Sequence, residues 1–140
     1  MAEPPASTIR IAAALLLGPD GRTLLVRKRG SQAFMQAGGK IEPDEAPVSA
    51  LVRELAEELG LVVEPTAPVH LGVFVAPAAN EPGCLVEAEL FRVVVSEAVN
   101  AAAEIEEIAW VDPAGPLDLV LAPLTRDWVL PLHRASTRSA

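Results

Sequence analysis

Several classes of protein are excluded by what this chain of 140 residues lacks. It has a single cysteine, Cys84, so no internal disulfide can form, which fits a reducing cytoplasm. Its two histidines, His70 and His133, are isolated from each other and from Cys84, so a zinc site is not expected. No apolar run reaches the length of about 18 residues that a transmembrane helix needs, and no such helix is predicted.

An excess of basic residues is also missing. The chain has 11 Lys and Arg against 19 Asp and Glu, a formal net charge of −8, which argues against binding a nucleic-acid polymer. The N-terminal sequence MAEPPASTIR has no basic region followed by an apolar stretch, so a secretory signal is not expected. The sequence predicts a cytoplasmic protein with one domain over residues 1–140, in which residues 1–8 form a disordered tail.

The most informative segment is residues 38–61, GGKIEPDEAPVSALVRELAEELGL. Pro47 suits the first turn of a helix, where its missing N–H costs nothing, and Gly60 suits the position just after the last turn. A helix is therefore predicted over Pro47–Leu59. At about 100° per residue, its acidic and apolar side chains occupy neighbouring arcs. The acids are Glu54, Glu57 and Glu58, and the apolar residues are Val48, Leu51, Val52, Leu55 and Leu59.

Three carboxylates on one helix face repel one another, and a hard cation such as Mg²⁺ relieves that repulsion. Acidic helix faces are usually only solvated, so the three acids alone would not identify a metal site. The complete pattern is more specific, because its chance occurrence in a chain of this length is on the order of 10⁻⁷. The specific positions are Gly39, Glu45, Arg53, Glu54, Glu57, Glu58 and Gly60.

Residues 39–61 resemble the Nudix box of the MutT-like hydrolases at every defining position. The resemblance implies an α/β fold of the Nudix type, an α/β/α sandwich with a mixed sheet. It also implies hydrolysis of a nucleoside diphosphate linked to another group, with Mg²⁺ or Mn²⁺ as the cofactor. One departure is Ala37, where the family commonly has proline, but this change removes no ligand.

The resemblance also implies roles for individual residues. The implied metal ligands are the carboxylates of Glu54, Glu57 and Glu58 and the carbonyl of Gly39. The implied catalytic residues are Glu57, Glu58, Glu104 and Arg53. Arg53 would orient the acids, with Glu45 as its ion-pair partner. Glu104, on a loop before a strand, would add a metal contact or serve as the base, with Glu106 and Glu107 as alternatives.

Five of the eleven cations lie between residues 21 and 41, where there is no acid. They are Arg22, Arg27, Lys28, Arg29 and Lys40. Either they form a phosphate-neutralising rim or they belong to a hydrated strand and loop. On a strand at residues 23–28, Arg27 and Arg29 would share one face, and both are predicted to bind substrate together with Lys40.

Two aromatic side chains, Phe34 and Trp110, are candidates for stacking on a nucleobase. Packing in the core or at an edge is the alternative for each of them. Phe34 is included among the predicted substrate-binding residues, because it lies on the loop that leads into the two glycines.

The rest of the chain predicts a mixed sheet covered by helices on both faces. Strands are predicted at residues 9–17, 23–28, 69–75, 85–95 and 105–111, with a C-terminal helix over residues 119–132. The first two strands would form a hairpin across Gly18-Pro19-Asp20-Gly21.

Three functions remain open. Pro77, sixteen residues beyond Leu61, resembles a marker of family members that hydrolyse ADP-ribose, so a conjugate of this kind is favoured. The loop at residues 76–83 would then hold the group beyond the diphosphate, through Asn80 and Glu81. A nucleoside triphosphate pyrophosphatase, including one that clears oxidised nucleotides, is the first alternative. The second is a Nudix-fold nucleotide-binding module without catalysis, which the intact set of acids argues against.

The expected partner is a small nucleotide-diphosphate substrate. Neither a nucleic-acid polymer nor a membrane is expected, and a homodimer is left open.

Overall fold

The structure is a computed structural model that describes residues 7–115 and 118–138. Within these residues the strands are β1 (Ser7–Leu17), β2 (Thr23–Lys28), β3 (Phe34–Met35), β4 (Ala37–Lys40), β5 (Val69–Pro77), β6 (Cys84–Val94) and β7 (Ile105–Val111). Helix α1 spans Pro47–Leu59, and a π-helical segment, Thr125–Val129, runs directly into α2, Leu130–Arg138. No helix in these two ranges has the length and hydropathy needed to span a membrane.

All of these strands belong to one mixed sheet. Its main order is β3-β2-β1-β6-β5, while β4 pairs with β1 and β7 pairs with β2. The pairing of β1 with β6 is parallel over the full length of both strands, and the other pairings are antiparallel. The short β1–β2 connection is the predicted hairpin, with Leu17 opposite Thr23.

Helices cover both faces of the sheet. Strand β1 sends alternate side chains to opposite faces, so it contributes to a core on each side. Ala12, Ala14 and Leu16 pack in the core that α1 covers. Ala13 and Leu15 pack in a second core that contains Leu124 and Val129 of the C-terminal helical region. The result is the α/β/α sandwich with a mixed sheet that the sequence predicts.

Helix α1 has the bounds that its sequence predicts. Pro47 occupies the first turn, and Gly60 ends the helix with a left-handed φ of 64°. The N–H of Gly60 donates to the carbonyl of Ala56 at 3.1 Å, and the N–H of Leu61 donates to that of Leu55 at 3.2 Å. These bonds satisfy carbonyls that would otherwise lack partners at the helix end.

The structure corrects the prediction at both ends of the chain. Ser7 and Thr8, which the sequence places in a disordered tail, instead belong to β1 and lie opposite Cys84 and Leu85. Residues 1–6 of that predicted tail lie outside the described residues.

The predicted C-terminal helix begins too early. Residues 119–122 are not helical, because the backbone there pairs with Phe34, whose N–H donates to Val120 and whose carbonyl accepts from Ala122. Helical structure begins only at residue 123.

Candidate active site

Two glycines in β4 allow the sheet to meet the acidic face of α1. The N–H of Gly38 donates to Glu58 Oε1 at 3.0 Å. Gly38 has a φ of +142°, and a Cβ there would collide with the carbonyl oxygen of Ala12. A Cβ on Gly39 would lie only 2.5 Å from Cδ of Glu54. A side chain at Gly38 is therefore excluded by the backbone of β1, whereas a side chain at Gly39 would displace the carboxylate of Glu54.

Arg53 holds the acidic residues in place. Its guanidinium donates to both carboxylate oxygens of Glu45, each at 3.0 Å, in a bidentate ion pair. It also donates to Glu54 Oε1 at 2.8 Å and to the carbonyl of Lys40 at 3.1 Å. The hydrogen bond from Arg53 is the main reason that the pKa of Glu45 lies below its usual value. The ion pair that the sequence predicts between Arg53 and Glu45 is present and ties α1 to the loop before it, while the bond to Lys40 ties α1 to β4.

Glu58 is the most buried carboxylate of the site, with only 5% of its surface exposed. Burial raises the pKa of Glu58 to about 7, and the nearby charges of Glu54 and Glu104 add to this shift. The hydrogen bond from Gly38 and the positive charge of Lys28 act in the opposite direction. Around neutral pH this carboxyl group is therefore divided between its charged and neutral forms.

Lys28 belongs to the cation cluster that the sequence identifies, but it is not among the predicted substrate-binding residues. Its Nζ lies 3.9 Å from Glu58 Oε2. Leu24 and Val26, four and two residues earlier on β2, pack in the core under α1, so this face of the strand leads to the acids. The sequence contains no clear signal for which face of β2 meets the acids, because the first four residues of β2 are buried on both faces.

Arg27 lies on the other side of β2, and its predicted place in the substrate site is corrected. It donates to Glu107 Oε1 at 3.2 Å and to the carbonyl of Ser31 at 3.1 Å. The pairing of β2 with β7 shifts register between Arg27 and Lys28, and the extra residue is Glu106 of β7. Strand β2 ends at Lys28, so the strand alternation assumed for Arg27 and Arg29 does not extend to Arg29.

The acids, most of the predicted cations and one loop border a single cleft with a volume of about 640 Å³. Its predicted site residues are Gly39, Glu54, Glu57, Glu58, Glu104, Arg29 and Lys40. Its other lining residues are Lys28, Gly30, Ser31, Asn80, Glu81 and Ala103. No sequence signal marks Gly30, Ser31 or Ala103, which reach the cleft only through the fold.

Phe34 does not reach this cleft. It is 6% exposed and packs with Leu25 and Val111 in a third core cluster, so its ring is not available to a nucleobase. Trp110 is partly buried against the core under α1, and it also borders a separate depression beside the turn between β1 and β2. For both aromatic residues, the structure favours the packing alternative.

A narrower groove of about 130 Å³ continues from the cleft. The residues common to both are Lys28, Gly39, Lys40, Asn80 and Glu81. Its apolar lining includes Ile11, Met35 and Val86, and it leads towards Gln36. The Gln36 amide is buried, donating to the carbonyl of Ala14 at 2.8 Å and accepting from Thr125 Oγ1 at 3.0 Å.

The donors in the cleft fit a hard divalent cation, because carboxylates and a backbone carbonyl supply only oxygen. Among the residues that the structure describes, no three acidic, histidine or cysteine side chains already converge as a coordination set. Arg53 holds the carboxylate of Glu54, while the side chain of Glu57 is 56% exposed. Closure around an ion would therefore depend mainly on rotation of Glu57.

Comparison with known proteins agrees with this arrangement. Residues 7–129 match the family model described as the NUDIX domain. The chain is 36% identical over 115 residues to a CTP pyrophosphohydrolase of Escherichia coli strain K12, covering 79% of this chain and 81% of that protein.

Two solved structures have similar folds. A MutT/nudix family protein from Enterococcus faecalis has a TM-score of 0.76 and 16% identity, covering 99% of this chain and 64% of that one. The ORF135 protein of E. coli has a TM-score of 0.68 and 28% identity, covering 94% of this chain and 90% of that one.

Proposed function

Because the chain belongs to the NUDIX domain family, whose members hydrolyse nucleoside diphosphate derivatives, we propose that it is a nucleoside triphosphate pyrophosphatase. CTP is the proposed substrate, and water converts it to CMP and pyrophosphate. The observation that carries this proposal is the single cleft that contains Gly39 and the four predicted acids, Glu54, Glu57, Glu58 and Glu104. The similarity to a CTP pyrophosphohydrolase along most of both chains supports a triphosphate substrate.

Glu54, Glu57 and Glu58, with the carbonyl of Gly39, are the proposed holders of Mg²⁺ or Mn²⁺. When bound, such a cation neutralises phosphate oxygens and lowers the pKa of water. Arg53 is a positioning residue, because its hydrogen bond at 2.8 Å fixes Glu54 against Gly39. The burial of Glu58 and its bond from Gly38 likewise give this carboxylate one orientation.

The proton of the attacking water passes to a carboxylate that borders the cleft. Glu57 and Glu104 have exposed side chains, so each can turn towards the water without breaking the hydrogen bonds that hold Glu54 and Glu58. Glu104 is anchored through its backbone, since its carbonyl accepts the N–H of Arg29 at 2.8 Å.

The phosphate groups meet the positive charges of Lys28, Arg29 and Lys40 along the rim of the cleft. Arg29 has a side chain that is 73% exposed and lies 3.5 Å from Glu106, so it is free to exchange this partner for a phosphate. The cytidine base enters the apolar groove beside Ile11, Met35 and Val86, since ligand sites combine an apolar lining with a few polar groups.

Hydrolysis of a conjugate such as ADP-ribose is the second candidate. Pro77 lies at the end of β5, and the loop that follows it brings Asn80 and Glu81 to the cleft. These side chains are placed where the group beyond the diphosphate would need contacts.

The two candidates are separated by a panel of CTP, dCTP, GTP, 8-oxo-dGTP and ADP-ribose, with products identified by chromatography. We expect CMP and pyrophosphate from CTP with Mg²⁺, and no reaction in excess EDTA. A faster reaction with ADP-ribose would favour the second candidate. Binding of nucleotides without hydrolysis in Mg²⁺ or Mn²⁺ would indicate a binding module instead.

A further inference from the structure

The loop between β5 and β6 is held in one shape at its base. The N–H of Ala78 donates to the carbonyl of Cys84 at 2.9 Å, and the N–H of Cys84 donates to that of Glu81 at 3.1 Å. Gly83 permits the turn with a left-handed φ of 81°. Asn80 and Glu81 therefore project from a closed turn rather than from a free segment.

Both side chains lie at the junction between the cleft and the apolar groove, because they border each of these cavities. In a nucleotide the sugar connects the phosphates to the base. A ligand with its phosphates among the acids and cations and its base beside Met35 and Val86 must therefore pass its sugar along Asn80 and Glu81.

The charge of Glu81 indicates which part of the ligand it can bind. Its Oε2 lies 4.0 Å from Lys40 Nζ, so the carboxylate is already drawn towards the rim of the cleft. A carboxylate repels phosphate, but it accepts hydrogen bonds from two neighbouring hydroxyl groups at once. The amide of Asn80 adds a donor and an acceptor beside it.

We propose that Glu81, assisted by Asn80, binds the 2′- and 3′-hydroxyl groups of ribose and makes this site prefer ribonucleotides to 2′-deoxyribonucleotides. This inference rests on the proposed function for the position of the phosphates. Glu81 is then a specificity-determining residue, and it acts on the sugar rather than on the reacting phosphorus.

The test compares kcat/KM for CTP and dCTP in the parent chain and in Glu81→Ala, Glu81→Gln and Asn80→Ala. The parent should prefer CTP by about tenfold, the size expected for a charge-assisted hydrogen bond. Glu81→Ala should remove most of this preference, because CTP loses hydrogen bonds from both hydroxyl groups while dCTP loses only the one from its 3′-hydroxyl, so kcat/KM for CTP should fall about tenfold further than that for dCTP. Glu64→Gln, an exposed acid outside both cavities, should preserve the ratio.

Release of Lys40 from its ion pair would change the binding of phosphates, and it would affect CTP and dCTP equally. An equal change in both substrates, or a parent ratio near one, would therefore overturn the inference. Glu81 has a side chain that is 47% exposed, so the variants should fold, and their thermal melting curves confirm this.

Calorimetric measurement of CMP and dCMP binding in EDTA separates this inference from the proposed function. If the parent hydrolyses neither triphosphate but still binds CMP more tightly than dCMP in a Glu81-dependent manner, only the proposed function fails. If CTP is hydrolysed and neither the kinetic nor the binding preference depends on Glu81, only the inference fails.

Discussion

Lys28 Nζ lies 3.9 Å from Glu58 Oε2, so the last residue of β2 faces the most buried carboxylate of α1. We expect Lys28→Met to raise KM for CTP by about tenfold, because it removes one of the charges that meet the phosphates. Steady-state kinetics in saturating Mg²⁺ measures this effect.

Arg27→Met is the matched control, since Arg27 is the preceding residue and pairs with Glu107 outside the cleft. Its KM should remain within about twofold of the parent value, as for other exposed ion pairs. A larger effect at Arg27 than at Lys28 would show that the wrong face of β2 has been assigned to the substrate.

The contrast between these two neighbours shows what the sequence could predict. Helix α1 was predictable to the residue, because its signals are local: Pro47, Gly60 and the period of its apolar side chains. The face of β2 that meets α1 was not predictable, because the residues that precede the cations are buried on both faces. Which face meets α1 depends on long-range packing.

The same reasoning explains a strand that the sequence did not predict, β4, and the burial of Phe34. Strand β4 contains two glycines, which disfavour strands, and it forms because β1 supplies a pairing partner. Phe34 is buried because the chain near residue 120 returns to pair with it, a contact between segments far apart in sequence.

Exposed Glu57 is predicted to act directly in the reaction. Glu57→Gln should lower kcat by about 100-fold or more while the fold is retained, because it removes a charge from the metal-binding carboxylates. Stopped assays with CTP and Mg²⁺ measure kcat, and circular dichroism checks the fold.

Glu107→Gln is the control for Glu57→Gln, since this acid contacts Arg27 on β2. Its kcat should remain close to that of the parent. Comparable rates for Glu57→Gln and the parent chain would remove Glu57 from the proposed mechanism.

Gly39→Ala tests the contact between β4 and the carboxylate of Glu54. The new Cβ would lie 2.5 Å from Glu54 Cδ, so the carboxylate must move away from Arg53 or from the backbone. We expect Mn²⁺ affinity, measured by calorimetry, to fall by about 10- to 100-fold. Gly115→Ala is the control, because a Cβ at Gly115 would be 3.6 Å from the nearest atom. Its Mn²⁺ affinity should be unchanged. Equal losses of affinity in both variants would reject the steric explanation.

A hydrogen bond links the C-terminal helical region to the sheet: Thr125 Oγ1 donates to the buried Gln36 Oε1 at 3.0 Å. Thr125→Val leaves Gln36 Oε1 without this donor, which should lower the free energy of unfolding by about 1–3 kcal/mol in urea titrations. Adding Gln36→Leu removes the unsatisfied oxygen, so the double variant should lose less than the sum of the single changes. Additive losses would mean that the hydrogen bond contributes little.

The pKa of Glu58 should make the metal-free chain less stable as pH rises. Burial raises this pKa from 4.5 to about 7, so between these values the folded chain binds more protons than the unfolded chain. The stability that Glu58 contributes is therefore complete below about pH 4.5 and is lost as pH approaches about 7.

Glu58→Gln carries no charge at any pH and should lack this loss. In urea titrations with EDTA, the free energy of unfolding of Glu58→Gln minus that of the parent should increase by on the order of 2–3 kcal/mol between about pH 4.5 and pH 7.5. Glu57→Gln serves as the control, because it removes a carboxylate whose side chain is 56% exposed rather than buried. If the free energies of unfolding of Glu58→Gln and the parent change in parallel with pH, burial of the ionised Glu58 carboxylate does not limit the stability of the metal-free fold.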